Sequence, residues 1–149
     1  FKQKTAYEML RSLVGSEMCI RDSPDTNVIV RYLVKDDLEL YKKARIFFDK
    51  VKTGEECAVI LESVVAECVY VLTKVYHVPK EKVAESLTNL LRYRGIINED
   101  RAELIKALTV FVERSLDIVD SILYAKSRSK NIKVLSFDED LNKTLMAEG

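Results

Sequence analysis

The chain is poor in the residues that announce many kinds of chemistry. Its 149 residues include three cysteines, one histidine, two prolines and four glycines. Cys19, Cys57 and Cys68 are odd in number, far apart and form no CxxC pair. That argues against a disulfide framework or a zinc knuckle and for a reducing compartment. Cys57 and Cys68 read as small buried apolar residues. His77, in VYHVP, reads as a surface or packing residue, and no nucleophile elbow accompanies it, so Ser-His catalysis has no support. A glycine-rich phosphate loop is missing as well. Basic and acidic residues number 24 each, for a formal net charge of zero. A globally basic nucleic-acid binder is therefore not indicated, although a local basic patch is compatible with this balance. No apolar run approaches the ~20 residues of a membrane span. The expected location is the cytoplasm.

What is present is enough chain for one domain with a core of its own. Residues 1–23, FKQKTAYEMLRSLVGSEMCIRDS, lack the basic start, apolar centre and small-residue cleavage site of a signal peptide. They join awkwardly to the apolar run after them, because Arg21, Asp22, Ser23 and Pro24 stand where a buried strand should begin. This segment reads as a leader outside the domain, which would then occupy residues 24–149.

Val28–Val30 with Tyr32 and Leu33 form an apolar run that is either a buried strand or a helix start. Asp36 or Asp37 is expected to cap a helix from about Leu38 to Lys52, closed by Gly54. Ala58–Leu61 reads as a short strand buried on both faces. Ser63 then caps a helix to about Tyr76, Pro79 starts another that Gly95 closes, and Ile96–Ile97 is a further short strand. Helices come next from Asp100 to Val112 and from Asp117 to about Ser129. Ile132–Phe137 is the clearest strand, and a short helix ends the chain. Strands alternating with helices predict an α/β fold, a three-layer sandwich with a central parallel sheet flanked by helices.

In such sheets ligands bind beyond the carboxyl ends of the strands. Asp25 and Asp138 border the first and last strand-like runs, and Glu67 lies early in the helix after Ala58–Leu61. Asp117 and Asp120, three apart, share one face of a helix start, and the apolar residues around Asp120 predict that it is partly buried. Each acid also has a plain structural role available, as a cap or turn residue. Glu67 between Ala66 and Cys68 is the hardest to explain that way, since burying an unpaired carboxylate costs several kcal/mol by order of magnitude. Carboxylates on one edge repel unless a cation sits among them, and Mg²⁺ or Mn²⁺ suits such oxygen donors. An ion held there can activate water and stabilise a phosphoryl oxygen.

The segments DTNVIVRYL, ESVVAECVYVL, LDIVDSILYA and KVLSFDEDL, in this order, resemble the PIN domain family, closest to its VapC-type toxin ribonucleases, over about residues 25 to 145. The resemblance implies a Mg²⁺- or Mn²⁺-dependent endoribonuclease whose acids are Asp25, Glu67, Asp120 and Asp138. Asp117 matches an extra acid found in many members, and Asn27 and Ser136 match supporting polar positions. It further implies an RNA substrate, a homodimer and a silencing antitoxin. Arg31 and Arg128 are candidate RNA contacts, the latter with Lys126, Lys130 and Lys133. Tyr32, Tyr70 and Tyr124 could stack on bases, though packing is the plainer role. The alternatives are a catalytically degenerate PIN-fold module that binds a protein or RNA, and a different α/β phosphotransfer domain. Of these, a haloacid-dehalogenase-like hydrolase would want an Asp-x-Asp at its first strand, which Asp25-Thr26-Asn27 does not supply, and a receiver would want adjacent acids before a phospho-accepting Asp and a Lys after a late strand.

Overall fold

Helices dominate the computed structural model, which describes residues 21–147, and most of them start at an acid. The chain divides into two compact units, Phe1–Leu61 with Arg92–Asn98, and Glu62–Leu91 with Glu99–Gly149.

The first unit is organised on a narrow parallel ladder. Strand β1 (Arg21–Asp22) pairs with β2 (Cys57–Ala58), Arg21 opposite Cys57 and Asp22 opposite Ala58. Ala58 also bridges in parallel to Ile96. The ladder is carried past β2 by Val59, whose N–H reaches the Asp22 carbonyl at 2.8 Å. A side chain then takes over: the Asn98 amide accepts from the Ile60 N–H at 2.9 Å and donates to the Ile60 carbonyl at 2.7 Å. The strand expected over Ala58–Leu61 is therefore shorter, and Leu61 is 52% exposed rather than buried. Ile96 sits in this ladder, as expected of a short strand, but Gly95 does not serve as a helix cap. A methyl group there would lie 2.0 Å from the Glu56 carbonyl oxygen and 2.7 Å from that of Val51. Gly95 is required for backbone contact.

Val28–Val30 resolve as helix. Asp25 caps α1 (Thr26–Val34), and Lys35 ends it in the left-handed region at φ 62°. Capping wins because the Asp25 carboxylate satisfies an N–H that a strand would have to place elsewhere. Helix α2 (Leu38–Thr53) starts at Asp37 and stops at Gly54, whose φ of 85° favours glycine. Asp36 instead pairs with Arg31 at 2.6 Å. Phe48 and Val51 of α2 are fully buried, as is Ile29 of α1. Each contributes on the order of 1.5–3 kcal/mol by leaving water. The Tyr32 ring lies 4.5 Å from that of Phe48, and its hydroxyl is 2.7 Å from that of Tyr93. Burial first, and then this bond, push Tyr32 ionisation well above the ordinary tyrosine range.

Every regular element described in the second unit is a helix. Helix α3 (Glu62–Tyr70) runs into a π-helical turn, Val71–Val75. Its start at Glu62 places Ser63 inside the first turn rather than at the cap. The Thr73 hydroxyl donates to the Val69 carbonyl at 2.7 Å, which loosens the regular ladder where the π turn forms. Helices α4 (Lys80–Leu91), α5 (Arg101–Glu113), α6 (Ile118–Lys130) and α7 (Glu139–Ala147) complete it. Helix α5 packs on both α4 and α6. One core cluster joins Val110, Leu116, Tyr124 and Leu141, with Val134 and Leu145 against it.

Ile132–Phe137 do not form a strand. Among the described residues they have no ladder partner, so an apolar, β-branched sequence is left extended without a sheet, and Leu135 and Phe137 are bare. The parallel sheet among the described residues is accordingly confined to β1 and β2 with the bridge at Ile96, and the layered sandwich is not developed in them. Cys57 is also not a thiol: it is disulfide-bonded, of which its spacing gives no sign. Cys68 is free and buried, as expected. No described helix is long and apolar enough to cross a membrane.

Candidate functional site

In the first unit, Asp25 is exposed and its Oδ1 accepts the Val28 N–H at 3.0 Å. Asn27 and Arg31 project from the same helix into a cleft of about 460 Å³, which Asp22, Leu40, Lys43 and Phe47 also line. Asp25 is not among the lining residues. Arg31 is already engaged with Asp36, so a ligand phosphate would compete for that guanidinium.

The second unit holds the remaining acids. Asp117 caps α6, its Oδ1 accepting the Asp120 N–H at 2.8 Å, and its carbonyl accepts the Ser121 hydroxyl at 2.7 Å. Asp138 caps α7 in the same way, through the Leu141 N–H at 2.8 Å. Ser136 holds Asp138 in place: its Oγ accepts the Asp138 N–H at 3.0 Å, while its carbonyl accepts the Asn142 amide at 3.0 Å. Each cap uses one carboxylate oxygen, Oδ1.

Asp120 is half-buried, as the sequence predicts. Burial pushes its carboxyl above the ordinary 3.8, and the charges of Asp117 and then Asp138 push it further. Three of the expected acids therefore share one electrostatic neighbourhood. Glu67 is not among the charges acting on Asp120, and it is exposed, so the desolvation argument for it fails. Helix α3 presents Glu67 outward while Val65, Cys68 and Val69 take the buried face. Among the described residues, no group of three or more His, Cys, Asp or Glu side chains is gathered closely enough to enclose a metal ion.

The cations are placed differently from the expected basic patch. Lys126 is withdrawn from it, bridging Glu62 at 2.5 Å and Asp100 at 3.1 Å. The bond to Glu62 raises its pKa, burial opposes this, and Asp100 adds to the rise. Asp100, at the start of α5, makes no side-chain cap there. Nothing in the sequence announces this trio, because its members come from three separate segments with ordinary spacing. Arg128 lies over the Tyr124 ring, 5.4 Å from its centre, and donates to the Leu145 carbonyl. Tyr124 is core and Tyr32 packs among aromatic rings, which leaves Tyr70 as the exposed ring of those considered for stacking. His77 is exposed in a turn at φ 55°.

Chemically, Asp117, Asp120 and Asp138 offer hard oxygen donors and excess negative charge, with no ion pair to Asp120 among the described residues. A divalent cation would relieve the repulsion that raises Asp120, but among the described residues no three acids are gathered closely enough to enclose one. Lys126 does not fill that role, being committed to Glu62 and Asp100.

No curated protein and no solved structure matches the chain. A family model does: the PIN domain model matches residues 24–144, from just before the Asp25 cap to within α7, and this chain belongs to the PIN domain family.

Proposed function

We propose that this chain is a Mg²⁺- or Mn²⁺-dependent endoribonuclease, the toxin of a toxin–antitoxin pair of the VapC type. The PIN domain is a nuclease-type domain with an α/β fold, whose nucleases typically use divalent metals. The observation that carries the reading is the raised carboxyl of Asp120, half-buried beside Asp117 and Asp138. Asp120, with the cap residues Asp117 and Asp138, would hold the ion. A bound divalent ion supplies an activated water and charge stabilisation on the phosphoryl oxygen. Ser136 fixes the backbone at Asp138 and so orients its carboxylate. The family resemblance assigns Asp25 and Glu67 to the same chemistry, and each is tested by its own substitution. Arg31 and Lys43, lining the cleft in the first unit, are the proposed contacts to the RNA backbone. A cytoplasmic location and a silencing antitoxin complete the proposal.

The test is cleavage of a mixed RNA pool with Mn²⁺ by the wild-type chain and by Asp120→Asn, Asp138→Asn, Asp25→Asn and Glu67→Gln. Loss of about 10²-fold or more in rate is expected for the Asp120 variant, the scale of a displaced catalytic group. Equal cleavage by wild type and Asp120→Asn overturns the reading. A second reading, a catalytically degenerate PIN module that binds a protein or RNA, is favoured by the lack of a tight three-ligand cluster among the described residues. It predicts RNA retention without cleavage.

A further inference from the structure

Helix α2 carries more apolar surface than the core of the first unit takes up. Ala44, Phe48 and Val51 are buried, whereas Leu40 is 37% exposed and Phe47 half-buried. Leu40, Lys43 and Phe47 recur at helical spacing and so share one face of α2. Together with Asn27, Val28 and Arg31 of α1 they line the cleft of about 460 Å³. The Phe47 ring is not loose. It lies 5.0 Å from the Phe48 ring at 69°, and Phe48 is itself fully buried beside Tyr32. An aromatic ring held from behind and open to a cleft is a platform for another flat ring.

The polar groups of the cleft say what kind of ring. Lys43 is exposed and in no ion pair with a described residue, which leaves its charge for a ligand. Arg31 is steadied by Asp36 at 2.6 Å, and Asp22 is the one acid in the lining. Asn27 adds an amide, a donor and an acceptor side by side. A flat apolar body with a polar edge and a trailing negative charge matches this set, and a nucleotide is such a group. Its polymer is what a nuclease-type domain acts on. In a duplex both faces of a base are covered by its neighbours, so only an unpaired base can enter.

We infer that the cleft between α1 and α2 seats one unpaired nucleobase of an RNA strand, stacked on Phe47, with Asn27 at the base edge and Lys43 at the adjoining phosphate. The choice of RNA rests on the nuclease reading. Bases as well as backbone then carry affinity, and the residues that choose among bases lie on α1 and α2.

Fluorescence anisotropy in EDTA, where no metal-dependent cut can occur, tests the cleft apart from the chemistry. The probes are a labelled RNA hexanucleotide of mixed sequence and the same sugar–phosphate chain without bases. Each is titrated with the wild-type chain, Phe47→Leu, Leu40→Glu and Lys43→Ala. The wild type is expected to bind the hexanucleotide about 10-fold or more tighter than the base-free chain, the scale of one stacked base. Phe47→Leu keeps apolar bulk and loses the ring, so most of that difference should vanish. Leu40→Glu puts a carboxylate into the cleft at a first-turn position where an acid suits the helix. Its fold is kept, by circular dichroism, while hexanucleotide binding falls by about 10-fold. Lys43→Ala should weaken both probes alike and lower the salt slope by about one. Equal wild-type affinity for the two probes overturns the inference, as does a Phe47→Leu variant that keeps the full difference. A wild type that binds neither probe overturns it too, and uptake of an acidic amphipathic peptide instead assigns the cleft to a protein partner. Cleavage is not read here, so failure of the cleft and failure of the nuclease reading are separate results.

Discussion

Asp117 accepts the backbone N–H of Asp120 at 2.8 Å, and its charge also pushes the Asp120 carboxyl upward. One acid thus builds the helix start and makes its neighbour uncomfortable there. Asp138 adds to that discomfort from the start of the next helix. Stability is given up at this point, as the proposed metal site would require.

Adding Mn²⁺ should therefore raise the melting temperature of the wild-type chain. At free metal about 100 times the dissociation constant, the gain is about 2.7 kcal/mol, or several degrees. Asp120→Asn should show less than half of this shift by differential scanning fluorimetry. Equal shifts in both proteins would count against metal binding at Asp120.

The pH dependence without metal is set by the direction at Asp120. Its folded pKa lies above the ordinary 3.8, so in that window the folded state holds more protons than the unfolded chain. Stability must then fall as pH rises from near 3.8 through the folded pKa, with the full penalty present at neutral pH. Asp120→Asn removes the penalty and should stabilise the chain at pH 7 by up to about 1 kcal/mol, solvent screening keeping the gain small. Urea titrations at pH 4 and pH 7 check the sign: the advantage of the variant should grow between them.

Lys126 behaves oppositely. Its raised pKa means the charged form is favoured by folding, so its contribution is complete below 10.5 and is lost as pH climbs through the higher folded value. Lys126→Met leaves Glu62 and Asp100 without their shared cation and should cost about 1 kcal/mol at pH 7. The difference from wild type should shrink in strongly alkaline buffer, read by the urea midpoint.

Gly95→Ala should be far more damaging than its chemistry suggests. The added methyl meets the Glu56 and Val51 carbonyl oxygens at 2.0 and 2.7 Å, both on backbone that cannot rotate away. A loss of about 3 kcal/mol or more is expected in chemical denaturation. A drop under about 1 kcal/mol, the size of an ordinary surface change, would show that the ladder at Ala58 and Ile96 can shift.

Local signals are legible in the sequence, and non-local ones are not. Asp37, Asp117 and Gly54 do what their types and positions predict, because a cap or left-handed stop is decided by residues within one helical turn. The half-burial of Asp120 is likewise set by its neighbours on the helix. Val28–Val30 is ambiguous because β-branched residues suit a strand, and the cap at Asp25 decides for helix. Ile132–Phe137 carries a strong strand signal, yet a strand exists only where a partner supplies the ladder. Glu67 looks buried because its sequence neighbours are apolar, but they face the other side of α3. The Asn98 amide standing in for backbone, and Lys126 between Glu62 and Asp100, depend on residues 26 to 64 positions apart, and no short window contains them.

That ammonium has a mechanical consequence. Glu62 opens α3 and Asp100 opens α5, so the beginnings of two helices are moored to a single point on α6. Both moorings oppose a roll of α6 about its long axis. The compass bearing of Asp120 is thus tied to the far end of the rod as well as to the buried face of α6.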